Sequence, residues 1–146
     1  MPRGNPVRLS FRSTFEMIDL VQVVSDHVGR TIAMDEDTRH FVGVAIRESV
    51  INAIRHGNRS DASKHVFVEF STEGPAEAVD LTVRVRDEGE GFDPSAVPDP
   101  LAPENLLKPG GRGIFLIRNF MDDVQLVNAP EGGMEMRMHK RVTSRA

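Results

Sequence analysis

The sequence predicts an α+β domain, a two-layer α/β sandwich with a mixed, mostly antiparallel sheet and helices on one face. Three observations predict it. Several short segments alternate apolar and polar residues, the period of half-buried strands. Longer segments carry apolar residues at helical spacing. Clean alternation leaves one sheet face wet, so the helices belong on the other. The 146 residues fit a single domain spanning 1–146.

The elements follow in order. Val7 to Ser13 alternates, with Val7, Leu9 and Phe11 on the apolar side. Phe15 to Val28 places Ile18, Val21, Val24 and Val28 at helical spacing, and Gly29 reads as a stop. Asp35, Glu36 and Asp37 supply an N-cap and an acidic first turn. The helix they open runs to Arg55 and His56 and meets Gly57-Asn58, cations followed by glycine. Val66, Val68 and Phe70 mark a second strand; Leu81, Val83 and Val85 mark a third, with Thr82, Arg84 and Arg86 on its other face. Residues 88–112 are proline-rich and lack periodicity, so this stretch is expected to form a lid. Gly113 to Met121 reads as a helix, and Val124 and Leu126 begin a strand. In the last strand Met134, Met136 and Met138 alternate with Glu135, Arg137 and His139. Thr143 to Ala146 are expected to fray.

Composition excludes several function classes. The absence of cysteine removes disulfides, thiolate metal sites and cysteine nucleophiles. With 22 acidic against 18 basic residues, direct nucleic-acid binding is not expected. No apolar run approaches the ~20 residues of a membrane span. Met1 to Asn5 lacks the apolar core of a signal peptide, so the expected location is the cytoplasm.

Three elements could carry chemistry. On the helix opened by Asp35, residues at ~100° intervals put Glu48, Asn52 and Arg55 on one sector, with His56 at its margin. Apolar residues flank that stripe on both sides, which suits a cleft better than a solvated face. Asp87 continues the parity of Leu81, Val83 and Val85, so its carboxylate points to the covered face and needs a partner there. Gly89 and Gly91 follow it and permit close backbone approach by a ligand, although an ordinary turn has the same composition. Gly110, Gly111, Arg112 and Gly113 open an apolar helix, whose free N–H groups would attract an anion. No P-loop and no dinucleotide fingerprint is present.

Together these motifs resemble one superfamily. Glu48-x-x-x-Asn52-Ala53-x-x-His56-Gly57, Asp87-x-Gly89-x-Gly91-Phe92 and Gly111-Arg112-Gly113-Ile114-x-Leu116-Ile117 are similar to the N, G1 and G2 boxes of the ATPases of gyrase, heat-shock chaperones, histidine kinases and mismatch repair. Over Glu48 to Asn58 and Gly113 to Asp122 the chain resembles more narrowly the RsbW-like anti-sigma-factor serine-protein kinases.

The resemblance implies a Bergerat-type ATP-binding fold. It implies ATP as substrate, with Mg²⁺ held by Asn52. Arg55, His56, Gly110, Gly111, Arg112 and Gly113 join the nucleotide-binding set. Asp87 would accept from the adenine amine, with Gly89 and Gly91 beside the base, and Glu48 would be the catalytic base. The implied partners are a sigma factor and an anti-anti-sigma protein of the STAS type, and the implied assembly is a homodimer. Two alternatives remain at this stage. One is a nucleotide-dependent partner-binding module without significant kinase activity. The other is a histidine-kinase catalytic domain acting on a separate chain. Glu48 disfavours the second, because histidine kinases usually lack a glutamate four residues before the metal-binding asparagine.

Overall fold

The computed structural model describes residues 5–90 and 111–143. Strand β1 (Val7–Arg12) precedes helix α1 (Met17–Thr31) and helix α2 (Glu36–Asn52), which continues into a π-helical turn, Ala53–Gly57. Strands β2 (His65–Glu73) and β3 (Ala78–Arg86) follow. Helix α3 (Gly111–Phe120) leads to β4 (Asp123–Asn128) and β5 (Met134–Thr143). The sheet order is β1-β2-β3-β5-β4, and each of its four pairings is antiparallel. After β3 the chain passes through α3, runs out along the far edge as β4 and returns as β5 beside β3.

Register aligns the apolar side chains in rows across the strands. Leu9, Val68, Val85, Met136 and Leu126 form one row; Val7, Phe70, Val83, Met138 and Val124 form the next. Most of these residues are buried under the helices, where Val21, Ile46, Val50, Ile54 and Ile117 have no exposed surface. Burying such side chains contributes about 1.5–3 kcal/mol each before the entropy cost of ordering them.

Helix α2 starts where the sequence indicates: the Asp35 side chain accepts from Thr38 N–H at 2.7 Å, with acidic residues in the first turn. Helix α1 does not stop at Gly29. It continues to Thr31, and Ala33 supplies the positive φ of 60° after it. Gly29 serves packing instead, since a Cβ there would lie 2.9 Å from Cγ of Arg39 on α2. Thr143, expected to be frayed, pairs with Ala78.

The other face of the sheet carries ion pairs. Arg8 meets Glu69 at 2.7 Å, and Arg84 lies 3.5 Å from Glu69 and 3.3 Å from Glu135. Alternation puts Glu135 on this wet face, yet it is 2% exposed, its oxygens occupied by Arg84 and Arg137. Among the described residues, no helix is long and apolar enough to cross a membrane.

Asp80 accepts from Arg141 at 3.0 and 3.1 Å and lies 2.8 Å from Nε2 of His139. The Arg141 hydrogen bonds, then that of His139, hold the Asp80 carboxyl at about 2, below its usual range. A carboxylate whose folded pKa is lowered stabilises the fold above its unfolded value, about 3.9, and loses that contribution as pH falls toward the folded value. The stability gap between the parent and Asp80→Asn should therefore close between about pH 4 and pH 2. Denaturant titrations across that range check it; a constant gap would contradict the pairing.

Candidate functional site

Two clusters form at the C-terminal end of α2 and the turn that follows. The first joins α2 to α3. Glu48 and Asn52, four residues apart, stand one turn above each other on the same side of α2, both half-buried. Gly113 of α3 is buried against them: a Cβ there would lie 3.0 Å from Oε2 of Glu48 and 3.6 Å from both amide atoms of Asn52. At the other end of the pair, Phe41 stacks on Phe120 with ring centroids 4.8 Å apart. These contacts make α3 antiparallel to α2 and set its first turn beside the Glu48–Asn52 pair. The N–H groups of a first turn lack intrahelical partners, and the dipole there favours negative charge. A carboxylate, an amide and such a turn can together hold a phosphate chain and accept a proton.

The second cluster surrounds Asp87, which is 4% exposed just past the end of β3. Its N–H donates to Met134 O at 3.0 Å, and its Oδ1 accepts from Gly89 N–H at 2.9 Å and Met134 N–H at 3.0 Å. Oδ2 takes no hydrogen bond from the described residues. Three glycines enclose the carboxylate. A methyl group at Gly57 would overlap Oδ2, one at Gly133 would overlap the Asp87 carbonyl, and one at Gly89 would overlap the Gly57 carbonyl. The result is a buried carboxylate with one oxygen fixed, packed closely on glycine backbone.

The π turn links the clusters. Asn58 N–H donates to Ala53 O at 2.8 Å, an i→i+5 bond, and Ser60 N–H to Ile54 O at 2.7 Å. Such wide turns recur at functional sites. This one carries Gly57 to Asp87 while Asn52, the last residue of α2, stays beside Gly113.

The geometry thus brings together Glu48, Asn52 and Gly113, and separately Asp87, Gly57 and Gly89. It does not bring Arg55 to the stripe predicted for it. Within the widened turn Arg55 is exposed, its guanidinium carbon 5.6 Å from the Phe15 ring centroid near the start of α1. His56 is exposed as well. Gly111 and Arg112 open α3 in the backbone, whereas Gly91, Gly110 and most of the expected 88–112 lid lie outside the described residues. Sequence reasoning missed Gly133, Met134 and Asn58. The Gly132-Gly133 pair between two strand patterns was a usable signal. Among the described residues, no group of three or more His, Asp or Glu side chains could hold a metal ion.

Comparisons with known proteins bear on these clusters. The model of the histidine kinase-like ATPase domain family matches residues 11–140. The chain is 31% identical over 145 residues to an anti-sigma F factor of Oceanobacillus iheyensis, covering 95% of this chain and 94% of that protein. It is 34% identical over 114 residues to the anti-sigma F factor of Bacillus subtilis, covering 75% and 73%. A serine-protein kinase RsbW of Bacillus cereus is 23% identical over 148 residues, covering 97% and 88%. Among solved structures, the RsbU and RsbW domains of a Mycobacterium tuberculosis protein share the fold, with a TM-score of 0.62 at 15% identity, over 98% of this chain and 34% of that one.

The cradle around Asp87 makes a differential prediction. Gly132 (φ 104°) and Gly133 (φ 80°) both occupy the left-handed region, but only Gly133 has neighbours within 4 Å. Gly132→Ala should cost about 1–2 kcal/mol from backbone strain alone, and Gly133→Ala about 1–3 kcal/mol more from the clash. Urea unfolding of the two variants measures the difference; equal losses would contradict close packing on Asp87.

Proposed function

Because the chain belongs to the histidine kinase-like ATPase domain family, we propose that it is an ATP-dependent serine-protein kinase and anti-sigma factor. In this reading it acts in the cytoplasm as a homodimer, binds a sigma factor, and phosphorylates a serine of an anti-anti-sigma protein of the STAS type. One observation carries the reading: a glutamate and an asparagine one helical turn apart beside the start of α3, adjoining a buried carboxylate walled by glycine. The relatives, an anti-sigma F factor and a serine-protein kinase RsbW, support it.

The roles follow from the chemistry of each group. Asp87 accepts a hydrogen bond from the exocyclic amine of adenine through Oδ2, while Gly57 and Gly89 let the backbone pack closely about the carboxylate. The start of α3, with Gly111, Arg112 and Gly113, supplies N–H donors to the phosphates. The Asn52 amide oxygen fits Mg²⁺, an ion that commonly takes one or two protein ligands and completes its shell with water and phosphate. When bound, Mg²⁺ would neutralise phosphate charge. Glu48 takes the proton of the substrate serine as its oxygen bonds to the γ-phosphorus. The bond from that phosphorus to the β–γ bridging oxygen breaks, leaving ADP. Positioning and charge neutralisation supply most of the catalysis in such transfers, so one base with fixed donors suffices.

Incubation with ATP, Mg²⁺ and STAS-type domains, followed by mass spectrometry for phosphoserine, tests the activity. ATP binding without phosphoserine on any such domain would replace the kinase with a partner-binding module. Glu48→Gln should keep nucleotide affinity and lose single-turnover phosphotransfer by about 10²–10⁴-fold. Asn52→Ala should lose both. Parental phosphotransfer by Glu48→Gln would remove Glu48 from the mechanism.

A further inference from the structure

We infer that Asn58 is a positioning residue for nucleotide recognition, fixing the direction in which the Asp87 carboxylate points; this rests on the ATP reading above. Asn58 directly follows Gly57 and is 1% exposed. Its amide donates through Nδ2 to Ser13 Oγ at 2.7 Å and to His65 O at 2.9 Å, and its Oδ1 accepts from Glu88 N–H at 2.7 Å. Its own N–H closes the π turn on Ala53 O. One buried side chain therefore ties the end of β1, the start of β2 and the residue after Asp87 to the end of the helix.

These bonds divide into two kinds. Those to Ser13 and His65 fix Asn58 itself. Ser13 is anchored in turn, since its N–H and its hydroxyl both donate to Lys64 O, at 3.0 and 2.8 Å. The bond to Glu88 acts on the site. Asp87 is gripped from the β5 side by both backbone groups of Met134. Asn58 grips the next peptide from the helix side, and the Glu88 carboxylate adds a bond from His65 N–H. The peptide plane after Asp87 is thus clamped between β5 and the π turn. With Oδ1 already committed to Gly89 and Met134, that plane fixes where Oδ2 stands relative to Gly57. Gly57 and Asn58 are neighbours, so the segment on which Oδ2 packs is also the one that holds the peptide after Asp87. A buried amide that served only stability could bond any backbone group; this one bonds the peptide adjoining the ligand-facing carboxylate.

The test is a double-mutant cycle on ATP affinity by calorimetry, with thermal melts of the same samples. Asn58→Ala should bind ATP about tenfold more weakly. The Asn58→Ala/Asp87→Asn double variant should bind no more than about twofold worse than Asp87→Asn alone, because residues acting through one contact are non-additive. Ser13→Ala removes a bond of the first kind and should lower Tm with a smaller loss of affinity than Asn58→Ala. Additive losses, or parental affinity in a folded Asn58→Ala, would overturn the role. Amide exchange in the unmutated protein gives a reading that needs no variant: Glu88 N–H should be protected before nucleotide is added, and free exchange would refute the clamp. A parent that binds no ATP at all would instead overturn the functional reading, which this control separates from failure of the Asn58 role.

Discussion

A carboxylate sealed at the end of a strand must be satisfied by the chain around it, and the arrangement about Asp87 follows from that need. Ionised carboxylate in an apolar setting is costly unless it is hydrogen-bonded. Two backbone N–H groups meet the demand at Oδ1, from Gly89 and Met134. Gly89 is local, two residues on, whereas Met134 comes from an element distant in sequence. The β4–β5 hairpin must deliver Gly133 and Met134 to the end of β3, and the glycine is needed because a side chain there would strike the Asp87 carbonyl. Helix α2 must end in a wide turn, so that Gly57 can face Oδ2 without a Cβ between them.

The sheet order serves the same end. Placing β5 between β3 and β4 sets Met134 against Asp87 and leaves the covered face for α2 and α3. Antiparallel packing of α3 on α2, with Phe41 on Phe120 at one end and Gly113 against Glu48 and Asn52 at the other, puts a helix N-terminus beside a carboxylate and an amide. The sites proposed for the base and for the phosphates thereby lie along a single helix and its terminal turn. On the opposite sheet face Arg8, Phe67, Glu69, Arg84 and Glu135 line an open groove of about 350 Å³. Its charges are paired among themselves, from Arg8 through Glu69, Arg84 and Glu135 to Arg137.

Much of this was legible from local pattern. Strand alternation gave the inward direction of Asp87, because parity along a strand does not depend on distant residues. Helical spacing put Glu48 and Asn52 on one face for the same reason. The failures share a cause, namely contacts between residues far apart in sequence. Ala53 and Ile54 sit in phase with the α-helical period and give no warning of a π turn, so Arg55 was expected beside Asn52. Gly29 reads as a helix stop, but it makes room for Arg39. Glu135 looks solvated by alternation, and only its pairing with Arg84 and Arg137 explains its burial. Asn58 looks like a turn residue, and its bonds to Ser13 and Glu88 span 45 and 30 positions.

Binding of an adenine nucleotide that lacks only its amine tests the role of Asp87 most directly. Purine riboside triphosphate keeps the ring, ribose and phosphates of ATP and removes the one donor that Oδ2 would accept from. A charge-assisted hydrogen bond is worth about 1.5–3 kcal/mol, so this analogue should bind the unmutated protein at least about tenfold more weakly than ATP. Equal affinity for the two nucleotides would contradict adenine recognition by Asp87.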